Sequence, residues 1–146
     1  MSVVKQTLGE AETSAKMDLN EDVNQELLYL VDVLLHASYQ FAFLTSVGER
    51  LPTYANSWER DIRCRESAVK IMNWIQENNG YLELADISKP RFNDSKLDEK
   101  FFFARWAKVE KSIDERFVAI KRKINHYEKK TELKSLLKTL RMYILD

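Results

Sequence analysis

A chain of 146 residues with 45% apolar and 32% charged residues can bury one hydrophobic core without disulfide staples, as a single globular domain does. Its 23 Lys and Arg balance 23 Asp and Glu, which excludes nucleic-acid binding through bulk charge. Only three Gly and two Pro occur, which suits long helices, and the single cysteine, Cys64, excludes an internal disulfide or a multi-cysteine zinc site.

In chain order, residues 1–18 are polar and mixed and read as a flexible arm, without an apolar run of signal-peptide length. Residues 19–146 read as one helical bundle. Asn20 or Asp18 can cap the first helix, and Glu21 and Asp22 favour the positive end of its dipole. Val23, Leu27, Leu30, Leu34, Phe41 and Leu44 then recur at helical spacing up to Gly48, ahead of Pro52. The second helix is expected from Thr53 to Asn78, with Trp58, Ile62, Val69, Met72 and Ile75 as its apolar side. Asn79-Gly80 stops it, because both residues tolerate left-handed backbone geometry.

Tyr81 to Pro90 is expected to be an ordered crossover with Leu82, Leu84 and Ile87 as its apolar residues. It is too short for another core helix but long enough to start the next helix at the opposite end of a bundle. The third helix begins after Asp94-Ser95. Its seam is Phe102, Trp106, Val109, Ile113, Phe117, Ile120 and Ile124. The fourth, about Thr131 to Asp146, is shorter and carries Leu133, Leu136, Leu137, Leu140 and Ile144. The fold class is therefore all-α, a four-helix bundle with one long crossover and a shortened fourth helix. No stretch approaches about 20 consecutive apolar residues, so no membrane span is expected, and a cytoplasmic location is.

Glu66 to Pro90, ESAVKIMNWIQENNGYLELADISKP, resembles the second helix of ferritins and the loop after it, through Glu66, Ala68, Lys70, Met72, Gly80, Leu84, Asp86, Ile87, Lys89 and Pro90. Val23 to Leu27 resembles the first-helix motif and Val109-Glu110-Lys111 the third-helix motif of that family. The resemblance covers roughly residues 20–125. It implies a ferritin-like bundle and an iron-handling subunit.

Iron-oxidising members of the family set a Glu on the first helix, Glu-x-x-His on the second and a Glu on the third around two iron ions, hard cations that need several anionic oxygens. By the resemblance, Glu26 and Glu110 stand at the first- and third-helix positions as residual metal ligands. Cys64 stands at the bridging Glu, Ser67 at the His, Val33 at a supporting Tyr, and Ile144 or Leu145 at the fourth-helix polar position. No catalytic residue is therefore expected, and iron would be held only weakly. Glu59 and Glu66 lie on one stripe of the second helix, where light-type ferritin subunits gather ferric ions; Arg63, four residues after Glu59, can pair with it and dilute the cluster.

The resemblance also implies partners: a homodimer through the first hairpin and crossover, or co-assembly with complete ferritin subunits. The family's longer fourth helix and its fifth helix have no counterpart here, so a dimer or a mixed assembly is expected over a self-made shell. The alternative reading is a pseudo-ferritin that serves as a structural or interaction module without an iron role. The Lys/Arg-rich run from Lys121 to Lys138 is expected to be a solvated helix face, and His36, four after Asp32, a surface pair with it.

Overall fold

The structure is a computed structural model, and it describes residues 19–48, 58–86 and 99–146. The arm at 1–18 and the part of the crossover from Ile87 to Pro90 lie outside the described residues. Four helices and no strand are found among the described residues: α1 (Glu21–Gly48), α2 (Trp58–Glu77), α3 (Glu99–Lys123) and α4 (Lys130–Leu145). The chain is an all-α four-helix bundle, and α4, at 16 residues, is the shortest helix against 28 for α1.

Side-chain partners fix the directions. Asn24 of α1 meets Tyr81 just beyond α2, and Ser38 meets Asp61 near the start of α2, so α1 and α2 run antiparallel. Glu26 meets Arg116, and the Phe41 and Trp106 rings lie 4.7 Å apart, so α3 is also antiparallel to α1. Asp114–Arg141 sets α4 against α3, and Trp74–Glu132 sets it against α2. The order is up, down, down, up. Because α2 and α3 point the same way, the connection between them has to return the length of the bundle. Its first part is visible: Tyr81 sits level with Asn24, and the Ala85 N–H donates to Asp32 Oδ1 at 3.3 Å. Residues 81–86 therefore run along α1 in α1's own direction, without helix.

Local chemistry accounts for the ends. Asn20 caps α1, its side-chain oxygen accepting the Asp22 N–H at 2.9 Å and the Val23 N–H at 3.4 Å. At the end of α2 the Gly80 N–H bonds the Ile75 carbonyl at 2.8 Å and the Asn79 N–H bonds that of Gln76 at 3.2 Å. This is a Schellman stop with Asn79 as its left-handed residue, at φ 62°. Gly80 has an ordinary φ and is needed for space instead. A Cβ there would lie 2.2 Å from Asn24 Oδ1, 2.6 Å from Ile75 Cγ2 and 2.8 Å from Leu19 Cδ2.

The core is the seam that periodicity marks on α1, α3 and α4. Val23, Leu27, Leu30, Leu34, Phe41 and Leu44 are buried, as are Phe102, Val109, Ile113, Phe117, Ile120, Ile124, Leu133, Leu137, Leu140 and Ile144. Trp106 and Leu136 pack against them, half-buried. On α2 the expected side holds in part, since Ile75 is buried and Met72 packs against the core. Trp58 and Val69 are about half exposed, and the buried face is Cys64, Ser67, Ala68, Ile71, Trp74 and Ile75. The first half of that face, Cys64, Ser67 and Ala68, is small, and the large residues Ile71, Trp74 and Ile75 follow it.

By length and composition α1 is apolar enough to cross a membrane over Glu21–Ser46, contrary to the expectation that no segment would be. Half of that window is buried in the bundle, where it supplies the core. Charge is divided along the sequence. Residues 99–146 hold 13 Lys and Arg against 7 Asp and Glu, and residues 1–98 hold 10 against 16.

Candidate metal centre

The positions that the resemblance marks for ligands lie on α1, α2 and α3. Glu26 projects from α1 toward α3, where the Arg116 guanidinium pairs with its Oε1 and Lys123 Nζ reaches its Oε2 at 3.3 Å. Arg116 also lies over the Tyr29 ring, 4.2 Å from its centre, so aromatic, carboxylate and guanidinium form one packed set. Glu110 projects from α3 toward α2 and pairs with Arg60 at 3.1 Å. Both carboxylates are partly shielded from water, at 19% and 31% side-chain exposure, and each has its own arginine. Arg60 and Arg116 restore the charge balance that such shielding demands. Arg116 lies six residues, about 9 Å at 1.5 Å per residue, along α3 from Glu110. The two glutamates are thus engaged at different levels of the bundle, by different cations.

Arg60 does more than neutralise Glu110. Its second nitrogen donates to the Ile144 carbonyl, and the Arg63 guanidinium donates to the Tyr143 carbonyl at 3.1 Å. The last-turn carbonyls of a helix have no intrahelical partner, and its C-terminal end is the negative end of its dipole. α4 has no basic residue in its own last turn. The arginines of α2 cap it from across the bundle. The place where a fourth-helix ligand would project is therefore closed by buried Ile144 and two guanidinium groups.

Between Arg60 and the end of the helix, Cys64 and Ser67 face inward and are fully buried. Burial and the neighbouring Asp61 push the Cys64 thiol up to about 12, with Arg60 opposing. At neutral pH, with no metal bound, it is a protonated, small, buried group. The Ser67 hydroxyl has no hydrogen-bond partner among the described residues. Val33, at the supporting Tyr position, is half-buried against the core and has no polar atom to offer.

The second candidate pair is also engaged. Glu59 pairs with Arg63 at 3.6 Å, the spacing expected from the sequence, and Glu66 accepts the Tyr143 hydroxyl. Arg63 and Lys70 both lie over the Tyr143 ring, at 5.2 and 5.7 Å from its centre. Arg65, six residues from Glu59, turns to Asp61 at 3.0 Å. The stripe is a mixed-charge helix face. Among the described residues no three His, Cys, Asp or Glu side chains converge on one point.

His36 and Asp32 meet differently from a simple surface pair. The imidazole Nδ1 lies 3.0 Å from the Asp32 main-chain oxygen, while the Asp32 carboxylate holds the Ala85 N–H. Burial raises the Asp32 carboxyl above its ordinary range, the Ala85 hydrogen bond and His36 drawing it back.

Arg60 and Arg116 were not singled out from the sequence, yet their signal is there. Arg60 falls on the stripe of Cys64, Ser67, Ile71 and Ile75, and Arg116 lies three after Ile113 and four before Ile120. A charge on a buried stripe requires a partner, and Glu110 and Glu26 are the carboxylates in register. The anchor of the crossover was likewise missed: buried Tyr81 holds it, whereas Leu82 is half-buried and Leu84 46% exposed.

No protein-family model, curated protein or solved structure matches this chain.

Proposed function

We propose that this chain is an accessory subunit of ferritin type, which associates with like bundles and does not oxidise iron. The observation that carries the reading is the engagement of Glu26 and Glu110 by Arg116 and Arg60, beside a Cys64 and Ser67 that offer no oxygen anion. A di-iron centre needs several free carboxylates and a bridge; here an arginine does for each glutamate what a cation would. Parallel α2 and α3, with a connection that starts back along α1, support the ferritin-like part of the reading. Fe(II) oxidation by the purified protein should then be no faster than the buffer blank, and a rate near that of a complete ferritin overturns the reading.

A second reading, a structural or interaction module with no iron role, is favoured by Glu59 and Glu66, which are held by Arg63 and Tyr143 rather than free to gather ferric ions. Iron retained after purification from iron-fed cells separates the two. In either reading the chain works by association. Light scattering should find a dimer, or incorporation into the assembly of an intact ferritin, and Leu84→Asp should weaken the dimer if exposed Leu84 lies in its seam.

A further inference from the structure

An apolar opening lies away from the ligand positions, between α3 and α4. It is a groove of about 510 Å³, within the roughly 300–1,000 Å³ that small-molecule sites occupy. Its floor is apolar: Phe117 and Leu137 are buried at the base, and Val118 lies along one wall, 40% exposed. Its rim is basic. Lys121 stands on the α3 side, and Lys134, Lys138 and Arg141 stand on the α4 side. Arg141 is balanced by Asp114 at 2.5 Å, and Lys134 bonds only the neutral Asn125 side chain. Lys121 and Lys138 have no carboxylate partner among the described residues, although they flank an apolar floor from opposite sides. The groove runs beside α4 from Thr131 to Arg141, ten residues or about 15 Å, the length of an extended chain of roughly ten to twelve carbons.

We propose that this groove binds a long-chain carboxylate, with the alkyl chain along Phe117, Val118 and Leu137 and the head group between Lys121 and Lys138. Apolar length and cationic rim together demand a ligand with both properties. A short anion would leave the floor wet, and an uncharged alkane would gain nothing from the two exposed ammonium groups. The proposal is independent of any iron role.

Dodecanoate, below the concentration at which it forms micelles, is the probe. Calorimetry should show saturable binding of one dodecanoate per chain, weakened at least about tenfold with dodecanol, with acetate showing none. The double variant Lys121→Glu with Lys138→Glu should weaken dodecanoate binding by about tenfold or more, since both lysines are exposed and the fold does not need them. Val118→Trp, which fills the groove from an exposed position, should abolish binding while the circular dichroism is unchanged. Binding that is not saturable, or that survives both variants, overturns the proposal. So does a doubled mass in the absence of ligand that the lysine reversals dissolve, because the groove then holds a second copy of the chain.

Discussion

The side chain of Asn24 is a clip between α1 and the start of the crossover, and its removal is the sharpest test of how the bundle is held. Asn24 is 1% exposed and Tyr81 6%. The amide donates to the Tyr81 carbonyl at 3.1 Å and accepts the Tyr81 N–H at 3.0 Å, completing both main-chain groups of one residue. Asn24→Ala leaves a buried donor and a buried acceptor without partners. Each orphan costs about 1–3 kcal/mol, so the variant should lose about 2–6 kcal/mol. The lower half of that range applies if the extended segment can shift and admit water. Urea unfolding followed by circular dichroism measures this, and the midpoint should fall with the slope preserved. Hydrogen exchange at the Tyr81 amide should accelerate more than exchange in the middle of α3, because the clip is local. Asn24→Asp adds a control with a defined sign. It keeps the acceptor but turns a carboxylate toward the Tyr81 carbonyl, which only the protonated acid can satisfy. Its folded-state acid is raised above the unfolded one, so its stability should improve as pH falls through about 5 toward 4. An Asn24→Ala protein within about 0.5 kcal/mol of the parent, with unchanged Tyr81 exchange, would refute the reasoning.

Other consequences are quickly checked. Gly80→Ala should destabilise by about 1–3 kcal/mol from crowding, and its effect should not add to that of Asn24→Ala, because the new Cβ meets the Asn24 side chain; additive losses in a double-mutant cycle would contradict the packing. Trp106→Ala should cost about 3 kcal/mol through its contacts with Phe41 and Phe102, whereas exposed Lys111→Ala should stay within about 0.5 kcal/mol of neutral. Cys64 should resist a thiol reagent at pH 8 until the protein is unfolded, and equal labelling of native and urea-unfolded protein would disprove its burial. Cys64 and Tyr81 are both pushed up to about 12, from ordinary values of 9.0 and 10.0, so the folded state prefers both protonated. Their contribution to stability is complete below pH 9 and is lost as pH rises from there toward 12, which an alkaline unfolding series would register.

The sequence showed the bundle more clearly than the site, for physical reasons that differ by helix. On α1 and α3 the buried residues are large and aliphatic or aromatic, so periodicity alone finds the seam from Val23 to Leu44 and from Phe102 to Ile124. On α2 the packing face begins with Cys64, Ser67 and Ala68, whose small side chains carry little hydrophobic signal, so the expected stripe kept buried Ile75 but took in exposed Val69 and Trp58. The start of α1 and the end of α2 were legible because Asn20 and Asn79 do chemistry with their own neighbours in sequence, whereas Gly80 is there for space beside Asn24 and Leu19. The partners of Glu26 and Glu110 were not, since Arg116 and Arg60 reach them across the bundle, 90 and 50 residues away along the chain. Tyr81 was passed over as one aromatic in a loop, because its role depends on an amide 57 residues earlier.

The division of charge, an excess of base over residues 99–146 and of acid over the rest, has a consequence for how the protein behaves in bulk solution. A formal net charge of zero suggests an electrically inert particle, yet the two parts of this chain carry opposite net charge, six of each sign. Near its isoelectric point neighbouring molecules can line up acidic side to basic side, with no net repulsion to keep them apart. Added salt then shortens the range of that attraction, from about 30 Å at 0.01 M to about 8 Å at 0.15 M. The protein should dissolve better as ionic strength rises from very low values, and it should be retained in dilute buffer by both cationic and anionic chromatographic matrices.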